Sequence, residues 1–349
     1  MTYLLLAIFF FLLYLLVAEL YPVRFLRAKS VKKSPSKLPP LYIYSFELHI
    51  HTQFSYDSLG KPEDLIRSSK EEDIDFLIVT DHDRDDIRHF AGEKILAGKE
   101  VKLTDEKGNI MGDLLEAGNV RVVAHPFKEK YRWRLPLPED YLFEIIDLKD
   151  ALLERKLLLL FLIPYLFIAG LFSIRFSISA LKRLVDIRKY ALLYLNMGIN
   201  NPVVAGLDHH VKVYVREVGV RFLFPDYRHS FRVLRNFLIT DRKVRDSEDF
   251  LRELQRGSIL ISFSKKPTLF WKEGSVLKVL PPVQCILYRL KEKGEELYTG
   301  SYFELSQCSG RTLLLGYTYK FRVWNFYFGL TPLFLFTCKE EKYGRDATS

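Results

Sequence analysis

The chain has 349 residues, of which 48% are hydrophobic and 27% are charged, and this composition excludes a disordered or low-complexity protein. Its formal net charge of +9 is uneven, because basic residues concentrate after residue 23 and again between residues 212 and 245. The three cysteines, Cys285, Cys308 and Cys338, are odd in number and lack the paired spacing of thiolate zinc sites. We therefore expect neither a thiolate zinc site nor a disulfide framework.

The first element is an uncharged apolar run over residues 4–18, which with its flanks reaches the roughly 20 residues needed to cross a bilayer. A cleaved signal peptide is the alternative, but the amino end carries no Lys or Arg and no small-residue cleavage site follows Ala18. We therefore expect a single-span membrane anchor over residues 1–23. The basic, Pro-rich linker over residues 24–40 contains no acid, so the positive-inside rule places the rest of the chain in the cytoplasm.

From residue 41 onward, predicted strands alternate with helices. A strand is expected over Tyr42–Ile50, a helix over residues 62–72 and an apolar strand over residues 76–80, with further short strands at residues 120–125 and 201–206. This alternation predicts an α/β domain over residues 41–256, built on a parallel sheet or barrel that collects its catalytic groups at the carboxyl ends of the strands. Metal-binding types of side chain stand at four such ends: His49, His51, His82, His125, Asp208 and His210.

A second apolar run, over residues 157–174, interrupts this domain and contains Pro164. If it crossed the membrane once, it would separate His210 from His51, so we expect an insertion of helix, kink and helix that dips into the membrane or lies on it. A buried core hairpin is the alternative. The segment over residues 177–195 then carries apolar residues near helical spacing with basic residues between them, which predicts one amphipathic helix able to face anionic lipid.

Beyond residue 257, short strand patterns follow one another without helices. They predict a small antiparallel β-sandwich over residues 257–341, followed by a tail over residues 342–349. The sequence of this region contains no cluster of acids, histidines or nucleophiles, so its expected role is structural or substrate-facing.

The pair His49 and His51 gives the first indication of chemistry. Residues two apart on a strand point to the same face, so both imidazoles are able to approach one metal ion. For this pair alone, two half-exposed strand histidines would be the simpler interpretation. The repetition of His and Asp at four strand ends favours a metal site instead.

Five short motifs in chain order resemble those of the PHP (polymerase and histidinol phosphatase) superfamily of metal-dependent phosphoesterases: HIHTQFSYDS, VTDHD, GKE, VVAHPF and GLDHH. The resemblance covers about residues 46–210 and, more loosely, the β-rich region that some membrane-anchored bacterial members carry after the domain. It implies a distorted (β/α)7 barrel with two or three divalent metal ions at its mouth.

By the same resemblance, His49, His51, Glu100 and Asp208 would hold the first metal. Glu100 would bridge to a second metal with His125, and Asp57, His82 and His210 would hold a third. Glu100, Asp208 and His210 are thereby expected to be catalytic, in phosphate-ester hydrolysis by a metal-activated hydroxide. A mixture of imidazole and carboxylate suits Zn, Mn or Fe. Asp81 is expected either to orient His82 or to cap a helix that begins at Asp83, and His209 is expected to point away.

The sequence departs from the family pattern at one position. Members commonly have a further His after the bridging Glu, in a Gly-His context, and the matching stretch DEKGNIMGD is expected to place Asn109 there. Because Asn is a poor ligand for a transition metal, we expect two tightly bound metals and a weak or absent additional one.

Basic residues set the expected partners. Lys128, Lys130, Arg132 and Arg134 follow a metal histidine and would either hold a phosphate or form a solvated surface. The basic stretch over residues 212–245 would follow a nucleic-acid backbone or contact lipid headgroups, and the nearby anchor favours membrane lipid. The leading hypothesis is a membrane-tethered, cytoplasm-facing phosphoesterase. The alternatives are a nuclease acting on short RNA or DNA ends, and a catalytically weakened metal-binding module whose membrane segments bind partners.

Overall fold

The computed structural model of the protein describes residues 2–35, 38, 40–90, 92, 94–217, 220–306 and 310–338. The tail expected over residues 342–349, the basic residue Lys37 and Cys308 lie outside these described residues. The helices are α1 (Thr2–Leu20), α2 (Pro62–Glu71), α3 (Leu148–Leu153), α4 (Lys156–Phe172), α5 (Ile174–Leu184), α6 (Ile187–Met197), α7 (Tyr227–Val233) and α8 (Ser247–Arg256), with a short 3-10 helix at Asp86–Phe90.

The strands of the first part of the chain are β1 (Val23–Phe25), β2 (Lys29–Ser30), β3 (Tyr42–Ile50), β4 (Phe76–His82), β5 (Ile95–Thr104), β6 (Ile110–Ala117), β7 (Val120–Ala124), β8 (Leu142–Asp147), β9 (Val203–Gly206), β10 (Val213–Glu217), β11 (Val220–Phe224) and β12 (Arg235–Thr240). From Ser258 onward every described element is a strand: β13 (Ser258–Ser262), β14 (Leu269–Glu273), β15 (Val276–Leu280), β16 (Cys285–Lys291), β17 (Glu295–Gly300), β18 (Phe303–Ser306), β19 (Thr312–Thr318), β20 (Phe321–Val323), β21 (Phe326–Phe328) and β22 (Thr331–Cys338).

Most strands belong to one 14-stranded sheet, in the order β2-β17-β16-β19-β22-β13-β12-β3-β4-β5-β6-β7-β8-β9. Strands β3, β4 and β5 are parallel to one another, as are β7, β8 and β9, while β5, β6 and β7 follow one another as antiparallel hairpins and β3 is antiparallel to β12. The regular strand–helix alternation of a (β/α)7 barrel is therefore not confirmed. The far end of this run returns to β3, because the N–H of Leu207 donates to the carbonyl of Leu48 (3.1 Å) and that of His51 to the carbonyl of His209 (3.0 Å).

The second apolar run forms α4, which packs with α5 as the α4–α5 hairpin, and the expected division into two helices at Pro164 is wrong. Helix α4 continues through Pro164 and ends at Phe172. The hydroxyl of Tyr14, on α1, donates to the carbonyl of Phe161 (2.8 Å) and accepts from the N–H of Tyr165 (3.1 Å). A proline is tolerated inside an apolar helix when a neighbouring helix satisfies the backbone groups beside it, and Tyr14 does so here.

The single amphipathic helix expected over residues 177–195 is divided into α5 and α6. The carboxylate of Asp186 accepts a hydrogen bond from the N–H of Lys189 (3.1 Å) and so caps the amino end of α6. Aspartate competes for backbone N–H groups in this way and favours the start of a helix over its interior. The apolar spacing was correct, but the cap within it was overlooked.

Strand β13 onward forms a β-sandwich. The separate sheet β14-β15-β18 packs on the large sheet, with the ring of Phe270 stacked on that of Phe336 at 4.0 Å between centroids. Cys285 is a buried free thiol, whereas Cys338 is disulfide-bonded, so the expectation that no disulfide forms is wrong for Cys338.

Among the described residues, α1 is the one helix that is long and apolar enough to cross a membrane. Only 6% of its apolar segment is buried in the protein. A signal sequence near an amino terminus passes the same test. The carboxyl end of α1 is fixed to the domain by the buried guanidinium of Arg183, which donates to the carbonyls of Ala18 (3.0 Å), Glu19 and Tyr21 (2.7 Å).

Candidate metal centre

The ends of strands β3 to β9 converge on one cluster of histidines and carboxylates. His49, His125 and Asp208 each have a positive φ, of 60°, 48° and 44°, although none of them is a glycine. Such left-handed conformations are costly for residues with a side chain and persist where the surroundings impose them. All three turn their side chains into the same cluster at the point where a strand ends or has just ended.

All eight residues that the sequence singled out as metal ligands lie in this cluster. Within each of four groups, the candidate ligand atoms lie within 4.8 Å of one another: His49, His51 and Glu100; His49, His125, Asp147 and Asp208; Glu100, Asp113 and His125; and His51, His82 and His210. Asp57 joins the last group, since its carboxylate lies 3.0 Å from Nε2 of His210. The groupings differ from the expected ones by adding Asp113 and Asp147.

Hydrogen bonds fix the ring orientation of four of these histidines. Nδ1 lies 2.7 Å from Glu144 in His49, 2.9 Å from Asp150 in His125, 2.9 Å from the Ser55 hydroxyl in His51 and 3.0 Å from the Asp208 carbonyl in His210. Because carboxylates and carbonyls only accept, Nδ1 donates to them and Nε2 is left facing the cluster, as in metal-binding histidines generally. Burial lowers the pKa of His51 to about 3, which keeps its ring in the neutral form that binds metals.

Asp81 acts on His51 through a serine. Its carboxylate accepts hydrogen bonds from the N–H and the hydroxyl of Thr52 (2.6 and 2.8 Å) and from the hydroxyl of Ser55 (3.0 Å), which in turn contacts His51. Asp81 lies within β4, and the next helix begins only at Asp86. Its expected role as a helix cap is therefore wrong, and the imidazole that it orients is that of His51.

A divalent cation fits the donor set. Buried atoms of the cluster that have no hydrogen-bond partner include Nε2 of His49 and His51, and one carboxylate oxygen each of Asp57, Glu100, Asp113 and Asp147. Buried polar atoms are rarely left without a partner, because each such atom costs about 1–3 kcal/mol. Imidazole nitrogens and carboxylate oxygens without thiolates are the ligands of Zn, Mn and Fe.

Two carboxylates of the cluster lie where burial disfavours their ionised form. Burial raises the pKa of Asp147 well above its ordinary value, and the charge of Asp208 adds to the rise. Burial, followed by the charge of Glu100, raises the pKa of Asp113 to about 6. Burial acts on Glu100 in the same direction, but the neighbouring imidazoles, His49 first, hold the pKa of Glu100 well below its usual range. A bound dication would favour the ionised forms of Asp113 and Asp147.

The position assigned to Asn109 is wrong. Asn109 lies in the exposed turn between β5 and β6, where its side-chain amide donates to the carboxylate of Asp105 (2.8 Å). In the sheet register Asp113 lies opposite Lys102 on β5 and opposite Ala124, which precedes His125. Asp113 also follows Gly112, so a Gly-Asp pair stands where the family pattern has Gly-His. The site therefore has a carboxylate at the position that Asn109 was expected to leave without a ligand.

Sequence reasoning overlooked the residues that β8 and α3 contribute. Besides Glu144, Asp147 and Asp150, Lys149 enters the cluster, where its ammonium lies 2.5 Å from the carboxylate of Asp208 and 3.5 Å from Nδ1 of His210. The signal was present, because the strand Leu142–Asp147 ends in a metal-binding type of side chain, as the other site strands do. This strand has no histidine at its end, and it is therefore not among the site strands predicted from the sequence.

The basic residues expected to meet a phosphate or a nucleic acid are mostly paired with acids. Lys128 lies 2.6 Å from Asp150, and Arg132 and Arg134 lie within 4.0 Å of Glu129. In the stretch over residues 212–245, ion pairs join Lys212 to Asp57, Arg221 to Asp64, Arg228 to Asp226 and Glu71, and Arg232 to Glu72. This pairing leaves little free positive charge for a nucleic-acid backbone. His209 bonds to Ser230 (2.7 Å) and turns away from the cluster.

Comparison with known proteins agrees with the geometry. Residues 47–173 match the family model described as the PHP domain, which confirms the resemblance over the first four motifs. A similar solved structure is a two-domain protein containing a predicted PHP-like metal-dependent phosphoesterase from Bacteroides vulgatus ATCC 8482. It is 11% identical and has a TM-score of 0.39, and the match covers 83% of this chain and 94% of that one. No curated protein sequence matches this chain.

Proposed function

From the PHP domain that residues 47–173 form, we propose that the protein is a phosphoesterase that hydrolyses a phosphate ester with bound divalent metal ions. The observation that carries the proposal is the convergence of imidazole Nε2 atoms and carboxylate oxygens, buried and without partners, at one edge of the sheet. Such ions supply Lewis acidity toward phosphate oxygens and lower the pKa of a bound water.

The ligand groups suffice for two ions. One would be held by His49, His51 and Glu100 together with Asp208, whose carboxylate lies 3.8 Å from Nε2 of His49 and 3.5 Å from Nε2 of His51. The other would be held by Glu100, Asp113 and His125. The set of Asp57, His82 and His210, which is more open to solvent, offers a third position. Asp113 restores the ligand count at the second position and so removes the main argument for a catalytically weakened module.

Residues of the chain take further parts in the reaction. Lys149 places a positive charge between Asp208 and His210, where it is able to bind an oxygen of the phosphate. A cavity of about 270 Å³ opens beside His125 and is lined by Phe127, Leu153 and Tyr190 together with Lys128 and Glu154. The lysine and glutamate are paired with other charged groups, so this cavity offers mainly apolar contact to the alcohol part of the ester.

The protein is further proposed to be tethered to the membrane by α1, with the PHP domain on the cytoplasmic side. Support comes from the exposed apolar surface of α1 and from the basic residues, without an acid, that follow it. A nuclease is the less favoured function, because most arginines of the expected nucleic-acid track are paired with acids.

The test is phosphate release by the full-length, detergent-purified protein, with metal content measured on the same sample. We expect hydrolysis of small phosphate esters in preference to oligonucleotides, and its loss together with bound metal in His49→Ala and Asp208→Ala. Arg228→Ala is the control, because Arg228 pairs with Asp226 and Glu71 outside the cluster. Full activity in both ligand variants would refute the proposed function.

A further inference from the structure

The segment that follows α1 enters a small sheet of its own. Strand β1 begins three residues after the end of α1 and pairs with β21, which pairs with β20. The carbonyls of Leu20 and Pro22 both accept a hydrogen bond from the N–H of Gly329, directly after β21. The sheet β1-β21-β20, which we call the exit sheet, is thus held at the point where α1 ends.

The exit sheet has its apolar face toward solvent. Directly paired residues on antiparallel strands point to the same side, so one face consists of Val23, Phe25, Phe321, Val323, Phe326 and Phe328. The other face carries Arg24, Tyr327 and Arg322, and Tyr327 is buried in the protein core. A sheet with one face on a core normally buries its apolar side and exposes its polar side. In the exit sheet this arrangement is reversed, because its apolar side faces solvent.

The outward face is continuous and aromatic. The ring of Phe25 meets that of Phe326 at 5.2 Å, and Phe321 stacks on Phe328 at 4.5 Å. Phe25 is 53% exposed, and Trp324, in the turn between β20 and β21, is 86% exposed. Tryptophan and other aromatic residues concentrate where a protein surface meets the headgroup region of a bilayer.

Positive charge surrounds this face. Residues 21–35 and 319–328 contain Arg24, Arg27, Lys29, Lys32, Lys33, Lys320 and Arg322 and no acid, while acids from other segments pair with Lys33 (Glu304) and Lys320 (Glu19). The guanidinium of Arg27 lies over the ring of Phe25 (5.7 Å), and the ammonium of Lys320 lies over the ring of Phe176 on α5 (5.8 Å). Basic side chains beside an apolar surface complement anionic lipid headgroups.

We propose that the exit sheet is a second membrane contact, in which its aromatic face lies in the headgroup region of the bilayer that α1 enters. The inference rests on the tether of the proposed function, because the sheet is continuous with the end of that helix. Arg183 fixes the end of α1 to the domain. An exit sheet bound to the membrane would therefore hold the PHP domain in one orientation, which a flexible linker alone would not do.

Tryptophan fluorescence tests the contact in the full-length chain, reconstituted in vesicles of phosphatidylcholine and phosphatidylglycerol with brominated acyl chains. The chain has three tryptophans, so the pair Trp133→Phe and Trp271→Phe leaves Trp324 as the only one. Bromine close to the headgroups should remove about half of its emission. The matched control, Trp133→Phe with Trp324→Phe, leaves Trp271 on β14, in a separate sheet, whose emission should barely change. Adding Phe25→Asp to the first chain should reduce the quenching of Trp324.

Flotation of the same vesicles separates the two proposals. Protein that fails to float with the vesicles would refute the tether. Protein that floats while Trp324 stays unquenched would refute only the contact of the exit sheet. A disulfide between two Trp324→Cys chains that forms with high yield and blocks quenching would also overturn the inference, because the face would then be occupied by a second copy. If Trp133→Phe prevents folding, an environment-sensitive dye on Trp324→Cys gives the same readout.

Discussion

Replacing Asp113 by Asn should change the stability of the protein in opposite directions with and without metal. Asp113 is buried, and one of its carboxylate oxygens has no hydrogen-bond partner. Asn keeps the shape of the side chain and removes its negative charge. In the metal-free protein this relieves repulsion from Glu100, whereas in the metal-loaded protein it removes an anionic ligand.

The magnitude follows from linkage. Burial and the charge of Glu100 raise the pKa of Asp113 to about 6 from its ordinary value of 3.8. A carboxyl group whose pKa is raised by folding stabilises the fold fully at pH values below its pKa in the unfolded chain. This stabilisation is lost as the pH rises through its pKa in the folded protein. At pH 8 the ionised carboxylate therefore costs the metal-free fold up to about 3 kcal/mol, at about 1.36 kcal/mol per pKa unit. Asp113→Asn should recover much of this cost above pH 6 and little of it near pH 4.

The assay is thermal unfolding of the full-length protein in detergent at pH 4 and pH 8, after chelation and again with added Mn or Zn. We expect the variant to melt several degrees higher than the unmodified protein when metal-free at pH 8, and to gain less from added metal. Its bound metal should also fall. Asn109→His, in the exposed turn, is the control and should change neither metal content nor melting. Equal metal binding by Asp113→Asn and the unmodified protein would refute the ligand assignment.

Further expectations concern the parts around the site. Ser55→Ala breaks the link between Asp81 and His51 and should weaken metal binding roughly tenfold to a hundredfold. The control is Ser69→Ala, because the Ser69 hydroxyl bonds within its own helix. Equal metal affinity of the two variants in a titration would contradict the link. Arg183→Met should lower the free energy of unfolding by about 3 kcal/mol, since two or more backbone carbonyls lose a charged donor. The control is Arg175→Met at an exposed position, which should melt like the unmodified chain. In a cysteine-free background, Ser34→Cys and Lys293→Cys should react with an impermeant maleimide only after cells are opened. Reaction at both positions in intact cells would reverse the proposed orientation and would place the disulfide-bonded Cys338 in the oxidising compartment where disulfides persist.

The sequence predicted the strands of the site closely, because their signal is local. The expected strand Tyr42–Ile50 is β3 itself, and the helix expected over residues 62–72 is α2, one residue shorter. An apolar run ending in His or Asp is readable without tertiary information. The same rule would have found β8 and its Asp147, had a terminal acid without a histidine been given equal weight.

What the sequence could not supply was pairing between distant segments. Asn109 and Asp113 are four residues apart, and only the antiparallel register of β5 with β6 shows which of them approaches Glu100. Likewise, Pro164 predicts a broken helix until Tyr14, 150 residues earlier, is seen to bond the backbone on both sides of it. Both errors arose because a contact with high sequence separation decided between local alternatives.

The same long-range contacts bear on whether the second apolar run crosses the membrane. Its helix α4 has 17 residues, or about 26 Å at 1.5 Å per residue, which is less than the roughly 30 Å of a hydrocarbon core. The chain leaves the domain at Arg155 and returns at Asp186, and these two residues form an ion pair at 2.6 Å. Strands β8 and β9, on either side of the insertion, are neighbours in one sheet. Both ends of the α4–α5 hairpin therefore stay with the metal centre, while exposed side chains such as Phe172 (83%) continue the apolar surface that α1 begins. If this hairpin meets a bilayer, its geometry requires it to enter and leave on the same side, as the proposed single span by α1 also requires.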